Sequence, residues 1–327
     1  MRYLSRRFAF YLIALWGSVT LNFLLPRLMP GSPMDAFTAR FHDQLKNNPH
    51  MMDSLRSVLG GSTDALPVQY IHYLGSLLHG DFGVSYSQFP ARVSDILVVT
   101  VPWTLFLAGV STIIASILGT FMGILAAWRR GGAVDLVFTP VTMFTQSLPP
   151  FFVALLLLYV FGFVAGWFPL QHSYGDTTHP GFNLPFLADV SWHAALPLLA
   201  IMLLNVGGWM LGMRSVMINV LAEDFITMAQ AKGLSDRRVM FTYAARNALL
   251  PQLTSFAITV GYVVTGLLLI EYVFSYPGVG YTLVNAVQAS DYPLMQALLL
   301  LITLAVLLAN LIADLFYARL DPRVRNP

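Results

Sequence analysis

The chain contains no cysteine, which excludes a disulfide framework, a thiolate metal site and a thiol nucleophile. Charge is scarce as well: Asp, Glu, Lys and Arg make up 10% of the residues against 57% apolar ones, a composition too apolar for a soluble surface. There are only two lysines, Lys46 and Lys232, followed by Asn47 and Gly233, so neither completes the Gly-Lys-Ser/Thr end of a Walker A phosphate loop. Hydrolysis of ATP through that motif is therefore excluded. Among the 327 residues there is no room for a large separate catalytic domain once the apolar segments and one long polar stretch are subtracted.

What is present in quantity is long apolar segments. Six could cross a bilayer, over Phe8 to Leu25, Pro102 to Trp128, Phe138 to Phe168, Ala194 to Met213, Leu253 to Val273 and Leu294 to Phe316. With the first entering from the cytoplasm, Arg2, Arg6, Arg7, Arg129, Arg130, Arg214, Lys232, Arg237, Arg238, Arg246, Arg319, Arg323 and Arg325 are cytoplasmic. That is 13 of the 18 basic residues, the sense of the positive-inside rule, and all seven histidines fall on the other side. The fold class expected is all-α integral membrane. It has six transmembrane helices, a long extracytoplasmic loop between helices 1 and 2, a cytoplasmic loop between helices 4 and 5, and both termini in the cytoplasm.

Arg2, Arg6 and Arg7 before an apolar run resemble the start of a secretory signal, but the run continues to Leu25 and closes on Pro26, Arg27 and Pro30 rather than on small residues. It reads as a retained anchor. In the outer segment from Leu28 to Thr100, Val68, Ile71, Tyr73, Leu74, Leu77 and Leu78 form an apolar face at helical spacing, which His79-Gly80-Asp81-Phe82-Gly83 breaks. This segment reads as a packed cap over the bundle rather than a ligand-binding loop. His72 and His79 are two helical turns apart, yet no carboxylate or third histidine completes a metal ligand set.

Inside the second span Ser111, Ala115, Gly119, Gly123 and Ala127 recur every four residues, a face of small side chains that lets another helix approach closely. The third span contains Pro140, Pro149 and Pro150, which free backbone groups at membrane depth. Gln146 and Ser147 stand beside this break, as a wall of a translocation path or beside an ordinary kink. Asn205 in the fourth span and Thr259 in the fifth are polar groups of the kind that face protein or water rather than lipid, and with Gln146 and Ser147 they are the candidate path residues. Glu271 is expected to make a structural hydrogen bond.

The cytoplasmic piece from Arg214 to Pro251 is the most informative. Leu221, Phe225 and Met228 form a short apolar stripe, Lys232 complements a helix C-terminus, and Gly233 is placed to end the helix in the left-handed conformation, with Leu234 folding back onto Met228 or Ala229. A second helix is expected over Ser235 to Asn247. Such a helix-Gly-helix element has the shape of a docking knob, and by physics alone it could equally lie on anionic lipid.

The stretch Glu223-Asp-Phe-Ile-Thr-Met-Ala-Gln-Ala-Lys-Gly233, followed by Ala245-Arg-Asn-Ala-Leu-Leu-Pro251, resembles the coupling loop of ABC-importer permeases of the dipeptide and oligopeptide branch. Leu78-His-Gly-Asp-Phe-Gly-Val-Ser85, Glu271-Tyr-Val-Phe-Ser-Tyr-Pro-Gly-Val-Gly280, Asp291-Tyr-Pro293 and Asp321-Pro-Arg-Val-Arg325 extend the resemblance over essentially the whole chain. The broader importer pattern has Glu-Ala-Ala, three residues and Gly. Here Thr227, Met228 and Ala229 stand in the place of Glu-Ala-Ala and Pro251 lies farther beyond Gly233, a departure the branch shares.

The resemblance implies two domains, a transmembrane anchor plus extracytoplasmic loop over 1–100 and the permease domain over 101–327. It assigns the ATPase-coupling loop to Glu223, Asp224, Ala229, Ala231, Lys232, Gly233, Arg246, Asn247 and Pro251. It implies no catalytic residue, cofactor or metal in this chain, ATP and Mg being bound by partner ATPase subunits. The implied partners are a second homologous permease, one or two cytoplasmic ABC ATPase subunits, an extracytoplasmic substrate-binding protein and the bilayer, with no nucleic acid. The implied location is the cytoplasmic membrane of a bacterium or archaeon, and the implied cargo is di- or oligopeptides, with oligosaccharides or nickel as alternatives. A secondary transporter would be expected to carry paired repeats and midplane ion ligands, which the sequence lacks.

Overall fold

The computed structural model describes residues 2–28, 65–262 and 267–320. In chain order the helices are α1 (Arg2–Leu28), α2 (Leu66–Leu78), α3 (Val93–Trp128), α4 (Ala133–Ser147), α5 (Pro150–Leu157), α6 (Leu184–Leu221), α7 (Asp224–Ala231), α8 (Asp236–Arg238), α9 (Arg246–Tyr262), α10 (Leu268–Val273), α11 (Val279–Gln288) and α12 (Tyr292–Leu320). Wider π-helical turns follow α5 over Leu158–Val164 and α8 over Val239–Ala245. Among the described residues the only β pairing is an isolated antiparallel bridge between Val84 and Arg92. The architecture is all-α.

Among the described residues four helices are long and apolar enough to cross a membrane: α1 through Phe8–Leu25, α3, α6, and α12 through Tyr292–Ile312. The third expected span is not one straight helix. It is α4 and α5 with its π-helical extension, bent by 106° at Leu148–Pro149. The cause is local, because a residue before proline is driven out of the α region: Leu148 precedes Pro149 and Pro149 precedes Pro150, and both adopt extended ψ, 139° and 135°. The stretch of the fifth expected span holds α9 and α10, neither of which is among these candidate spans, and residues 263–266 between them lie outside the described residues.

A second departure concerns the cytoplasmic helix expected to end at Asn247. The chain instead stays helical from Asp236 through the π-helical stretch into α9, with Pro251 inside the helix. Continuation keeps Ala244, Ala245 and Ala248 buried, and that packing offsets the one backbone bond the proline removes.

The chain divides into two compact units, one of Met1–Trp103 with Pro277–Leu308 and one of Thr104–Tyr276 with Ala309–Pro327. In the first, α2 begins with a proline in its first turn, where the lost N–H is unneeded. It packs on the end of α1. Tyr70 and Thr20 hydroxyls lie 2.7 Å apart, the buried Phe23 ring meets Tyr70 edge-on at 5.1 Å, and the Arg27 guanidinium sits 3.6 Å from the Phe23 centroid. Ile71 and Leu78 of α2 remain exposed. The other anchor of this unit is Asp291, fully buried, whose carboxylate accepts from Ser85 Oγ at 2.5 Å, Ser87 N at 2.8 Å and Ser87 Oγ at 2.7 Å.

The second unit is built on α6, against which α4, α5, α9 and α10 all pack. Asn183 starts α6 by accepting from Phe186 N at 2.9 Å, an N-cap. The small-residue face of α3 is buried along its length, and a Cβ added at Gly119 would stand 2.5 Å from Trp209 Cβ, one at Gly123 2.5 Å from the Met210 carbonyl. Only glycine permits this backbone approach, as the four-residue spacing anticipates. Within the same unit Glu271 is fully buried and accepts from Thr104 Oγ1 at 2.6 Å, the structural hydrogen bond expected of it.

Candidate coupling loop and cavity

The loop after α6 folds into a small body because two signals act within a dozen residues. Leu221 closes α6, and the chain restarts as α7 at Asp224. At the other end of α7, Lys232 is the C-cap and Gly233 adopts φ +73°. Leu234 N bonds the Ala229 carbonyl at 3.4 Å and Gly233 N the Gln230 carbonyl at 2.9 Å, the paired bonds of a Schellman motif. The fold-back of Leu234 is as expected from the sequence.

The apolar face of α7 differs from the expected stripe. Ile226 and Ala229 are the buried residues, while Phe225 and Met228 are 39% and 60% exposed. The break at Ala222–Glu223 separates Leu221 from α7, so the helical period does not run from Leu221 into Phe225. Ile226 and Ala229 enter an apolar cluster with Ile124, Ala127, Met213, Met217, Val239, Met240, Ala244, Ala245 and Ala248, and Leu234 packs against its edge. The cluster fixes α7 to α3, α6 and the start of the helix leading to α9.

Of the nine coupling-loop residues, Glu223, Asp224, Ala231, Lys232, Gly233, Arg246, Asn247 and Pro251 are exposed and Ala229 is buried. Glu223 precedes α7 without capping it through its side chain, and Asp224 lies in the first turn, where a carboxylate meets the positive end of the helix dipole. Asn247 Nδ2 donates to the Tyr243 carbonyl at 2.8 Å beside the π-helical stretch. The surface so formed carries Phe225 and Met228 between acidic and basic groups.

A cavity of about 320 Å³ opens within the same unit, lined in part by Ser111, Thr112, Pro150, Asn205, Trp209 and Thr259. Its lining is uncharged and mostly apolar, with Ile201, Leu204, Leu267 and Ile270 beside the hydroxyl and amide groups. Asn205 Nδ2 donates to the Ile201 carbonyl at 2.9 Å, and Thr259 Oγ1 to the Ser255 carbonyl at 2.9 Å, each within its own helix. The structure thus brings Asn205 and Thr259 together. Gln146 and Ser147 do not reach the cavity: Gln146 Nε2 donates to the Thr142 carbonyl at 3.1 Å, and Ser147 Oγ to the Met143 carbonyl at 2.9 Å. Pro150, beyond the break, does reach it.

Two constellations escape sequence reading. Asp135, in the first turn of α4, receives Arg214 of α6 in a bidentate pair, Nε to Oδ1 at 2.7 Å and Nη2 to Oδ2 at 3.0 Å, and also accepts from Gly131 N at 3.0 Å and Thr139 Oγ1 at 2.9 Å. Arg214 is legible in the sequence only as one more cytoplasmic charge. The Asp291 clasp joins residues 206 positions apart that both lie in motif stretches, and no spacing rule pairs them. Among the described residues no three His, Asp or Glu side chains are grouped to hold a metal ion, and His79 Nδ1 lies 2.8 Å from the Gly75 carbonyl.

Comparison with known proteins places these features in a family. The family described as binding-protein-dependent transport system inner membrane component matches residues 119–326. A protein of Brucella suis biovar 1, provisionally named a peptide permease, is 35% identical over 325 residues, 99% of each chain. The oligopeptide transport system permease protein AppB of Bacillus subtilis is 32% identical over 98% of each chain, and the di/tripeptide transport system permease protein DppB of Pseudomonas aeruginosa 32% over 100% of this chain and 99% of its own. With a multi-pass helical body and similarity running from end to end, this chain belongs to the family of inner membrane components of binding-protein-dependent transport systems.

Proposed function

We propose that the chain is the permease subunit of an ATP-driven importer that carries di- and oligopeptides across the cytoplasmic membrane. The observation that carries the reading is the α7 knob. An amphipathic helix, closed by Gly233 and seated on a buried apolar cluster, leaves Phe225, Met228 and the charged residues Glu223, Asp224, Lys232 and Arg246 free for a partner. Peptide as cargo is supported by the names of the relatives, and the cavity, uncharged and mostly apolar, sets no charge requirement on side chains.

In this reading six spans cross the membrane, with both termini and the α7 loop in the cytoplasm. Residues 1–100 form the anchor and extracytoplasmic loop, and 101–327 the permease domain. Asn205 and Thr259 line the path, with Gln146 and Ser147 on the wall at the α4–α5 break. A second homologous permease completes the path, one or two ABC ATPase subunits bind the loop of Glu223 to Gly233 and Arg246 to Pro251, and a substrate-binding protein delivers cargo from outside. ATP and Mg are handled by the ATPase subunits alone.

The test is reconstitution of this chain with the second permease, the ATPase subunits and the binding protein in proteoliposomes, with trialanine as cargo. Uptake is expected to require ATP and the binding protein, and Gly233→Val is expected to remain in the membrane while abolishing cargo-stimulated ATP hydrolysis. The space around Gly233 is open, so the cost is conformational, about 1 kcal/mol or more for a Cβ at positive φ, and its effect is to re-aim the knob. Full stimulation in that variant would overturn the docking role.

A further inference from the structure

The α4–α6 seam carries three contacts in register. Running antiparallel, Asp135 meets Arg214, the Thr142 hydroxyl lies 4.0 Å from Met210 Sδ, and the Gln146 amide covers Gly207, where an added Cβ would also stand 2.8 Å from Thr142 Cβ. Along this seam apolar and small-residue packing could slide, since methionine and glycine set no fixed register. The ion pair cannot. Asp135 is 7% exposed, and its carboxylate is filled by four donors from three places: Arg214, Thr139 one turn along α4, and Gly131 in the turn that joins α3 to α4. A bidentate guanidinium–carboxylate pair fixes distance and orientation together.

Arg214 is flanked by Met213 and Met217, both fully buried in the cluster that holds Ile226 and Ala229 of α7. One end of the pair is therefore rooted beside the docking helix. The other is rooted in α4, which runs to the bend at Leu148–Pro149, and Pro150 just beyond the bend lines the cavity. From this geometry we infer that Asp135 and Arg214 are positioning residues that make α4 move with α6 and the α7 knob, so that displacement of the knob is delivered to the cavity wall at the Leu148–Pro149 bend. The inference rests on the permease reading, and it adds the contact through which the two candidate sites communicate.

The test uses the native absence of cysteine. Asn205→Cys is introduced as a reporter of the cavity in the assembled importer, and its reaction rate with a water-soluble maleimide is measured with and without ATP trapped by vanadate. With the pair intact, the rate is expected to change at least fivefold on trapping. Asp135→Asn combined with Arg214→Gln leaves no unpaired buried charge and so preserves assembly. It is expected to keep ATP hydrolysis while reducing the change to less than twofold. Arg214→Lys, which retains the charge but not the fork, is expected to fall between. A full response in the double variant would overturn the inference and leave the permease reading standing, whereas no response even with the pair intact would overturn the cavity as path and the inference with it. A response lost in the double variant but complete in Arg214→Lys would show that charge alone suffices and would overturn the role of bidentate geometry.

Discussion

In the α7 knob, Ile226 and Ala229 are held at 2% and 3% exposure by apolar neighbours, and no charged group takes part in the cluster. At the Asp291 clasp a single fully buried carboxylate receives three hydrogen bonds from Ser85 and Ser87, and Leu294 N lies 3.3 Å from its other oxygen at the start of α12. The difference is one of how binding energy is distributed. Apolar burial is shared over many weak contacts and degrades in proportion to the volume removed, while a buried carboxylate concentrates its bonds on two atoms and leaves several donors orphaned when it goes. The knob should therefore yield by degrees and the clasp all at once.

That contrast can be broken or sharpened by three substitutions. The largest effect is expected for Asp291→Ala, which strips the acceptor from both serines and the cap from α12. Hydrogen bonds to charged groups contribute about 1.5 to 3 kcal/mol each, so a loss on the order of 4 kcal/mol is expected, read as a fall in the melting temperature of the detergent-purified chain. Asp291→Asn, which keeps the shape and one acceptor oxygen, should recover part of it. A melting temperature unchanged in Asp291→Ala would mean that the clasp is dispensable.

Next comes Ile226→Ala in the knob, expected to cost about 3 kcal/mol from lost transfer and the cavity left behind. Ile226→Val should cost about 1 kcal/mol, so the knob's response is graded where the clasp's is abrupt. The same melting assay checks it, and equal losses for Val and Ala would contradict the graded picture. The smallest effect on stability is expected for Phe225→Ala combined with Met228→Ala, within about 0.5 kcal/mol because both side chains are exposed. Binding of the ATPase subunit should nevertheless weaken roughly tenfold, about 1.4 kcal/mol, since exposed aromatic and methionine side chains supply much of an interface's energy. Titration of the purified ATPase against the detergent-purified permease reads this directly.

Much of the candidate site is legible in the chain because its determinants are local. Gly233 ends α7 at positive φ because a residue without Cβ enters the left-handed region at little cost and there closes the last carbonyls of the helix, and the four-residue spacing from Ser111 to Ala127 describes one helix face whatever it packs against. The stripe from Leu221 to Met228 fails for an equally local reason: the helical period was carried across Ala222 and Glu223, where the chain breaks. Asn205 and Thr259 share a cavity, but Gln146 and Ser147, next to the same proline break, turn to their own helix backbone. Which side of α4 faces α6 depends on rotation about the helix axis, and the buried side is the one that carries Asp135 and Thr142.

The sequence by itself determined that these segments are helical, that the chain breaks at Pro149 and Pro150 and that Gly233 closes α7, because run length, proline sterics and glycine conformation act within one turn of the chain. Only the tertiary structure decided that Asp135 pairs with Arg214, that Ser85 and Ser87 clasp Asp291, and that Asn205 and Thr259 face one space with Pro150. These are matters of helix rotation and register between segments far apart in the chain. In a protein whose helices are apolar on most faces, the hydrophobic pattern leaves rotation and register open, and a few buried polar partners fix them.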